Sequence, residues 1–226
     1  MNKRGFTLVE LLAVLVILGI ILRLIIPKVF NIVNDSKDTL YQNGVNTILS
    51  AAYDYSLKNL DVLKDSGPSY ITLGELKANN LFESNIINQK TGTSFSDDLI
   101  IKIMKEDREI NPSFEKREGE YIYTLFSDNT KLLSIELDLS KSGSNYYTSI
   151  SVGGSLPSET FKVKYDGVDV TDSSKIVKNI SKSDNLVDSV DTSNPSIYDI
   201  SYTALYVKDD KAYSNTVIWK VVVTNN

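Results

Sequence analysis

Three regimes of hydrophobic patterning follow one another along the chain. From Phe6 to Ile26 there are 21 residues, of which only Thr7, Glu10 and Arg23 are polar. At 1.5 Å per residue such a helix is roughly 31 Å long, about the hydrocarbon thickness of a bilayer. After Pro27 the apolar positions Val29, Ile32, Val33, Leu40, Tyr41, Val45, Ile48, Leu49, Ala52 and Tyr53 recur at three- and four-residue spacing. This predicts an amphipathic helix that continues outward, its stripe packed against a soluble head. It should end between Leu57 and Leu60, ahead of Ser66-Gly67-Pro68.

Beyond that helix the pattern shortens. Tyr70 to Leu81 reads as a short strand and a short helix, and Asn88-Gln89-Lys90-Thr91-Gly92 as a turn. Leu99–Met104 and Glu120–Phe126 read as strands. The charged, proline-containing stretch between them, with Glu106–Glu109 and Glu115–Glu118, is expected to be solvated loop. From residue 128 the period is two. Leu133, Ile135, Leu137 and Leu139 form one alternating set, and Phe161, Val163 and Tyr165 another. Tyr198 through Tyr206 and Val217 through Val223 alternate in the same way, with Lys208-Asp209-Asp210-Lys211 as a turn. About seven short strands without a helical period predict a β-sandwich. The fold class is therefore α+β: a long N-terminal helix on a small antiparallel sheet, followed by an all-β sandwich. The corresponding segments are a leader at 1–5, a helix at 6–58 with its membrane part at 6–26, a head at 59–127 and a sandwich at 128–226.

The N-terminal run admits three readings. A cleaved signal peptide would carry a small-residue cleavage site after the apolar stretch, but here it runs into Arg23 and Pro27-Lys28. A plain membrane anchor leaves Glu10 unexplained, because a carboxylate within an apolar span is costly. The third reading rests on Gly5-Phe6-Thr7-Leu8-Val9-Glu10-Leu11-Leu12, preceded by Lys3 and Arg4. This segment resembles the cleavage and methylation motif of type IV prepilins and pseudopilins, and Gly19 and Pro27 fall where that family has them. The resemblance covers residues 1 to about 57. It implies that a membrane-embedded prepilin peptidase cuts between Gly5 and Phe6 and that the Phe6 amine is methylated. Losing Lys3 and Arg4 would change the formal side-chain charge from -5 to -7. Basic residues before the span favour a cytoplasmic N-terminus and an external head.

Phe6 and Glu10 are four residues apart and share a helix face. Glu10 also lies near the N-terminal end of the helix, where the dipole favours negative charge. In the family, its cation is the Phe6 amine of a neighbouring subunit, so Glu10 would set the register of assembly. Arg23 stands where the family is apolar. It lies about 25 Å along the helix from Phe6, and either snorkels to the outer interface or pairs with an acid of another subunit. Pro27 removes the amide that would bond the Arg23 carbonyl, so a kink or local unwinding is expected around Gly19–Pro27.

Composition narrows the chemistry. The chain has 226 residues, no histidine and no cysteine. Ser-His-Asp and Cys-His catalysis and thiolate or imidazole metal sites are excluded, as are disulfides. A net charge of -5 argues against a general nucleic-acid binder, a DNA-uptake filament being the exception. No catalytic constellation and no cofactor are expected. Asp166 with Asp169, and Asp209 with Asp210, are turn carboxylates that could also ligate Ca²⁺ through oxygen. Val190–Ala204 and Trp219–Val223 resemble bacterial Ig-like domains of surface proteins, and the head resembles pilin-like proteins of Gram-positive bacteria. Many Gram-negative pilins instead close this region with a disulfide.

The resemblance implies a structural subunit, minor or tip-located and adhesive, of a type IV pilus. Its partners would be the peptidase, other pilin subunits, the assembly machinery, the cytoplasmic membrane and a host or surface ligand. Its precursor would sit in the cytoplasmic membrane and its assembled form outside the cell. The alternatives are a pseudopilin of a secretion or DNA-uptake machine, and a membrane-anchored adhesin that never polymerises.

Overall fold

A single helix, α1 (Leu8–Lys58), runs unbroken for 51 residues and ends where the turn signals place its end. The computed structural model describes residues 8–82, 84–105, 115–118, 121–126, 132–142 and 145–225. After a short 3₁₀ turn, Leu60–Val62, come β1 (Ser69–Thr72) and α2 (Leu73–Ala78). The Thr72 hydroxyl caps α2 by accepting the Glu75 amide at 3.2 Å. The hairpin β2 (Ile87–Asn88) and β3 (Thr93–Ser94) encloses the expected turn, where Gly92 has φ +75°. The strands β4 (Ile100–Lys105), β5 (Glu115–Glu118) and β6 (Tyr121–Phe126) complete an antiparallel sheet in the order β1-β4-β6-β5. The charged run Glu115–Glu118 is thus an edge strand paired with Tyr121–Thr124 rather than loop. Glu106–Glu109 lie outside the described residues.

Among the described residues the second half holds nine strands, two of them long. They are β7 (Leu133–Leu137), β8 (Lys141–Ser142), β9 (Asn145–Ser151), β10 (Phe161–Tyr165) and β11 (Val168–Asp169). There follow β12 (Lys175–Lys182), β13 (Asn185–Val187), β14 (Ser196–Lys208) and β15 (Lys211–Thr224). A three-stranded sheet, β11-β10-β7, packs on a six-stranded one, β13-β12-β14-β15-β9-β8. Among the described residues all pairings are antiparallel except that of β15 with β9. Three hairpins turn on two residues with positive φ: Asp166-Gly167, Ser183-Asp184 and Asp209-Asp210. The period-two sets meet between the two sheets. Leu133, Ile135 and Val163 face Ala204 and Tyr213, and Leu137 faces Tyr198, Ile200, Tyr202, Trp219, Val221 and Val223.

The six-stranded sheet is covered on its other face too. The alternate residues of β14 and β15, including Ser201, Thr203, Leu205, Ala212 and Ser214, turn toward α2, β1 and β4. The molecule beyond α1 is therefore layered as head, long-stranded sheet and short sheet. The seam between head and sheet is largely polar. Ser201 donates to Asp97 Oδ2 at 2.7 Å, Asn179 donates to the Gly74 carbonyl at 2.9 Å, and Tyr70 donates to the Asp210 carbonyl at 2.6 Å. Ser214 donates to the Asp98 carbonyl.

The candidate assembly helix and its anchorage

From Leu8 to Ile26 the described part of α1 carries only two charges, Glu10 and Arg23. Its large apolar residues stand exposed on every side, from Leu8 and Val9 through Leu18 and Ile26 to Phe30 and Val33. An apolar surface of that extent on a soluble body marks a membrane or a protein interface. The burial stripe expected from Val29 onward starts later. Val29, Ile32, Val33 and Leu40 are exposed, and burial begins at Tyr41 and Val45. The reason is the size of the head. Its four strands, about 4.8 Å apart, can cover only a few turns of helix. Among the described residues α1 is the one helix long and apolar enough to cross a membrane.

The far end of α1 is locked into the head. Val45, Ile48, Leu49, Ala52 and Tyr55 are buried against Ile71, Leu73, Leu76, Phe95, Ile101, Ile103 and Tyr123. Gly44 lets the helix approach closely, since a Cβ there would stand 3.2 Å from the Phe95 ring. The Ser56 and Tyr123 hydroxyls share a hydrogen bond of 2.7 Å. Tyr55 donates to Glu75 Oε1, which also accepts from Lys175 of β12. Burial, then the bond to Glu75, pushes the Tyr55 hydroxyl well above the usual phenol range. Burial likewise raises Tyr70, with the Asp210 carboxylate adding to it. Lys77, its side chain 2% exposed, donates to Asp97 Oδ1 at 2.5 Å and to Asn85 Oδ1 at 2.6 Å. The β2–β3 turn reaches back to the helix through Lys90, which pairs with Asp38 at 2.9 Å and lies over the Tyr41 ring.

Of the residues expected to matter, Gly5 and Phe6 lie outside the described residues. Glu10 sits in the first turn of α1, and Gly19 and Pro27 lie within helix that is continuous through both. Arg23 is exposed. The turn carboxylates serve their turns. Asp169 Oδ1 accepts from the Thr171 amide and hydroxyl at 3.0 and 2.7 Å, which holds its carboxyl below the usual range. No cluster of three or more acidic groups suited to a metal occurs among the described residues. The seam around Glu75, Lys77 and Asp97 had no signature in the sequence.

Residues 1–22 match the model of the prokaryotic N-terminal methylation motif. A stretch of 58 residues is 38% identical to the type II secretion system core protein G of Pseudomonas aeruginosa. The first 22 residues thus carry the prepilin methylation motif, and the likeness of the N-terminal helix is to type IV prepilins and pseudopilins. That match spans 26% of this chain and 41% of the secretion protein's own length. A solved lipoprotein of Bacteroides thetaiotaomicron overlaps 41% of this chain and 39% of its own. Its TM-score of 0.26 and identity of 24% carry no argument about the fold. Together with the apolar helix, the prepilin motif marks a precursor anchored in the membrane.

Proposed function

We propose that the chain is a minor or tip subunit of a type IV pilus or related filament, cut between Gly5 and Phe6, methylated at Phe6 and bundled through α1. The observation that carries this is the split character of α1. One end is buried in the head, and the other, from Leu8 to Val33, presents apolar side chains that none of the described residues covers. In the precursor those side chains face lipid; in the filament they face the same segment of neighbouring subunits. Glu10 pairs there with the Phe6 amine of a neighbour, because a desolvated carboxylate needs a cation. The stretch from Gly19 to Pro27 is where α1 loosens when it leaves the membrane, since Pro27 has no amide to close the helical turn. The second half, an Ig-like sandwich, would widen any shaft built of this chain alone. That bulk favours a terminal or sparse position and an adhesive role toward a host or surface ligand.

The similarity to a secretion core protein favours a second reading, a pseudopilin of a secretion machine. Mass spectrometry of the mature N-terminus decides the first step. Methylated Phe6 is expected, and a chain that retains Met1 would show a permanent anchor instead. Antibody labelling of sheared filaments then places the chain at the tip, along the shaft or in neither.

A further inference from the structure

Among the described residues Lys77 is the one buried lysine, its side chain 2% exposed. An ammonium taken out of water is costly, so the groups around it carry information. Its Nζ stands 2.5 Å from Asp97 Oδ1 and 2.6 Å from Asn85 Oδ1. An amine, a carboxamide and a carboxylate thus meet at one point, from the last turn of α2, the approach to β2 and the turn after β3. Each is fixed at its backbone. The Asn85 amide donates to the Asp184 carbonyl at 3.2 Å, the Lys77 carbonyl accepts from Asn80 at 2.9 Å, and the Asp97 carbonyl accepts from Gly74 at 2.9 Å. Ser201 holds Asp97 Oδ2 at 2.7 Å, which leaves Oδ1 turned to the lysine.

These three groups are the two reactants and the proton carrier of an amide exchange between side chains. The Asn85 Cγ is one C=O bond, about 1.2 Å, beyond Oδ1, so Nζ lies within about 3.8 Å of it. Attack needs roughly 3–3.5 Å, and a small rotation of the Asn85 amide closes the difference. We propose that Lys77 and Asn85 become joined by an isopeptide bond, with Asp97 carrying the protons. Away from water a neutral pair gains on a charged one, so Lys77 hands one proton to Asp97 and becomes an amine. The Nζ lone pair forms a bond to Cγ, and the carbonyl opens to an oxyanion. Asp97 delivers its proton to Nδ2, the Cγ–Nδ2 bond breaks and the carbonyl re-forms. Nζ gives up a second proton to Asp97, which passes it on, so that ammonium leaves and one hydrogen stays on the new amide. Nothing is oxidised or reduced, and no outside reagent enters. A cavity of about 310 Å³ lined by Lys77, Asn85, Asp97 and Ser201 gives the ammonium a way out. The bond ties α2 to the approach to β2 and does not depend on how α1 is used.

The test takes the full chain, folded in cells and purified in detergent, then unfolds it, digests it with trypsin and reads the peptides by tandem mass spectrometry. The linked product is expected as a single peptide, Asp65–Lys90, uncut at Lys77 and lighter by one ammonia. Single backbone breaks between residues 77 and 85 should release no fragment, because the ring holds both halves. An asparagine that has cyclised on its own backbone is equally light, but it leaves Lys77 open to trypsin. Asp97→Asn and Asn85→Ala are expected to give the two ordinary peptides, Asp65–Lys77 and Ala78–Lys90, with the linked form reduced at least tenfold. A wild-type chain that yields only the ordinary peptides overturns the proposal, and undiminished linkage in Asp97→Asn overturns the role of Asp97. The wild-type reading decides the bond by itself, whether or not a variant folds.

Discussion

Gly74 and Gly44 occupy equivalent places at two joints of the molecule, yet their substitutions should differ. A Cβ at Gly74 would stand 3.0 Å from Thr203 Oγ1 and 3.2 Å from the Asp97 carbonyl. Thr203 is buried in β14 and bonded to Thr216 at 2.8 Å, so it cannot yield. Overpacking of this kind costs about 1–3 kcal/mol, more than the roughly 1 kcal/mol that alanine gains over glycine in a helix. Gly74→Ala is therefore expected to lower the urea midpoint by an amount equivalent to about 1 kcal/mol. At Gly44 the neighbour is the rim of the Phe95 ring, which can tilt, and Gly44→Ala should change the midpoint little. Glu10→Val belongs to the same scale. It should leave membrane insertion intact, since it removes a charge from an apolar span, while filament assembly is lost. Equal filament yields for Glu10→Val and wild type would remove the register role. Glu10 was legible in the sequence because its oddity needs no third dimension: a carboxylate among leucines is conspicuous on its own. Asp97 and Gly74 were not, since their partners Ser201 and Asn179 stand more than a hundred residues later in the chain.

α1 is one helix with two environments, and the pattern of its residues described only part of that. Spacings of three and four from Val29 to Tyr53 fit burial throughout, but only the stretch from Tyr41 meets its partner within this chain. Periodicity reports which face of a helix is apolar, not what covers it. The charged run Glu115–Glu118 failed for the opposite reason. Its composition favours solvent, yet its backbone pairs with β6 at the edge of the sheet. The join of α1 to α2 is open to test through Tyr55. Its hydroxyl is held neutral by burial and by Glu75, so its folded pKa lies above the unfolded value of about 10. A raised value means that the stability it contributes is complete below pH ~10 and is lost as the pH climbs through the folded value. Tyr55→Phe removes the donor and leaves the Glu75 carboxylate, 2% exposed, with one partner fewer. The variant should be less stable at neutral pH by about 1–3 kcal/mol and should have a flatter alkaline limb. A chemical-denaturation series from pH 7 to 12 reads both.

At the scale of the molecule, the period-two pattern of the second half foretold two packed sheets but left their second neighbour unseen. Residues 201, 203 and 214 alternate with the core positions and so read as solvent-facing. In the structure they are the seam to the head. Because Asp97 holds the buried Lys77 of the head through one carboxylate oxygen and accepts from Ser201 of β14 through the other, head and sheet should open together. Hydrogen exchange at the Ile101 and Ile200 amides, one in each part, is expected to report the same opening free energy. Asp97→Ala leaves a buried ammonium unpaired at a cost of about 3–5 kcal/mol, and should make the two amides exchange independently. Different protection at the two amides in the wild-type chain would mean that the parts open separately.

The same seam has a mechanical consequence. A domain on a flexible tether would swing and absorb a tug before passing it on. Here the bonds from Tyr70 to Asp210, from Ser214 to Asp98, from Ser201 to Asp97 and from Asn179 to Gly74 lie side by side across one contact. A pull on the outer sheets loads these bonds together, and α1 is fixed to the same head by its buried half. Tension applied at the far end of the molecule would reach the N-terminal helix with no slack to take up.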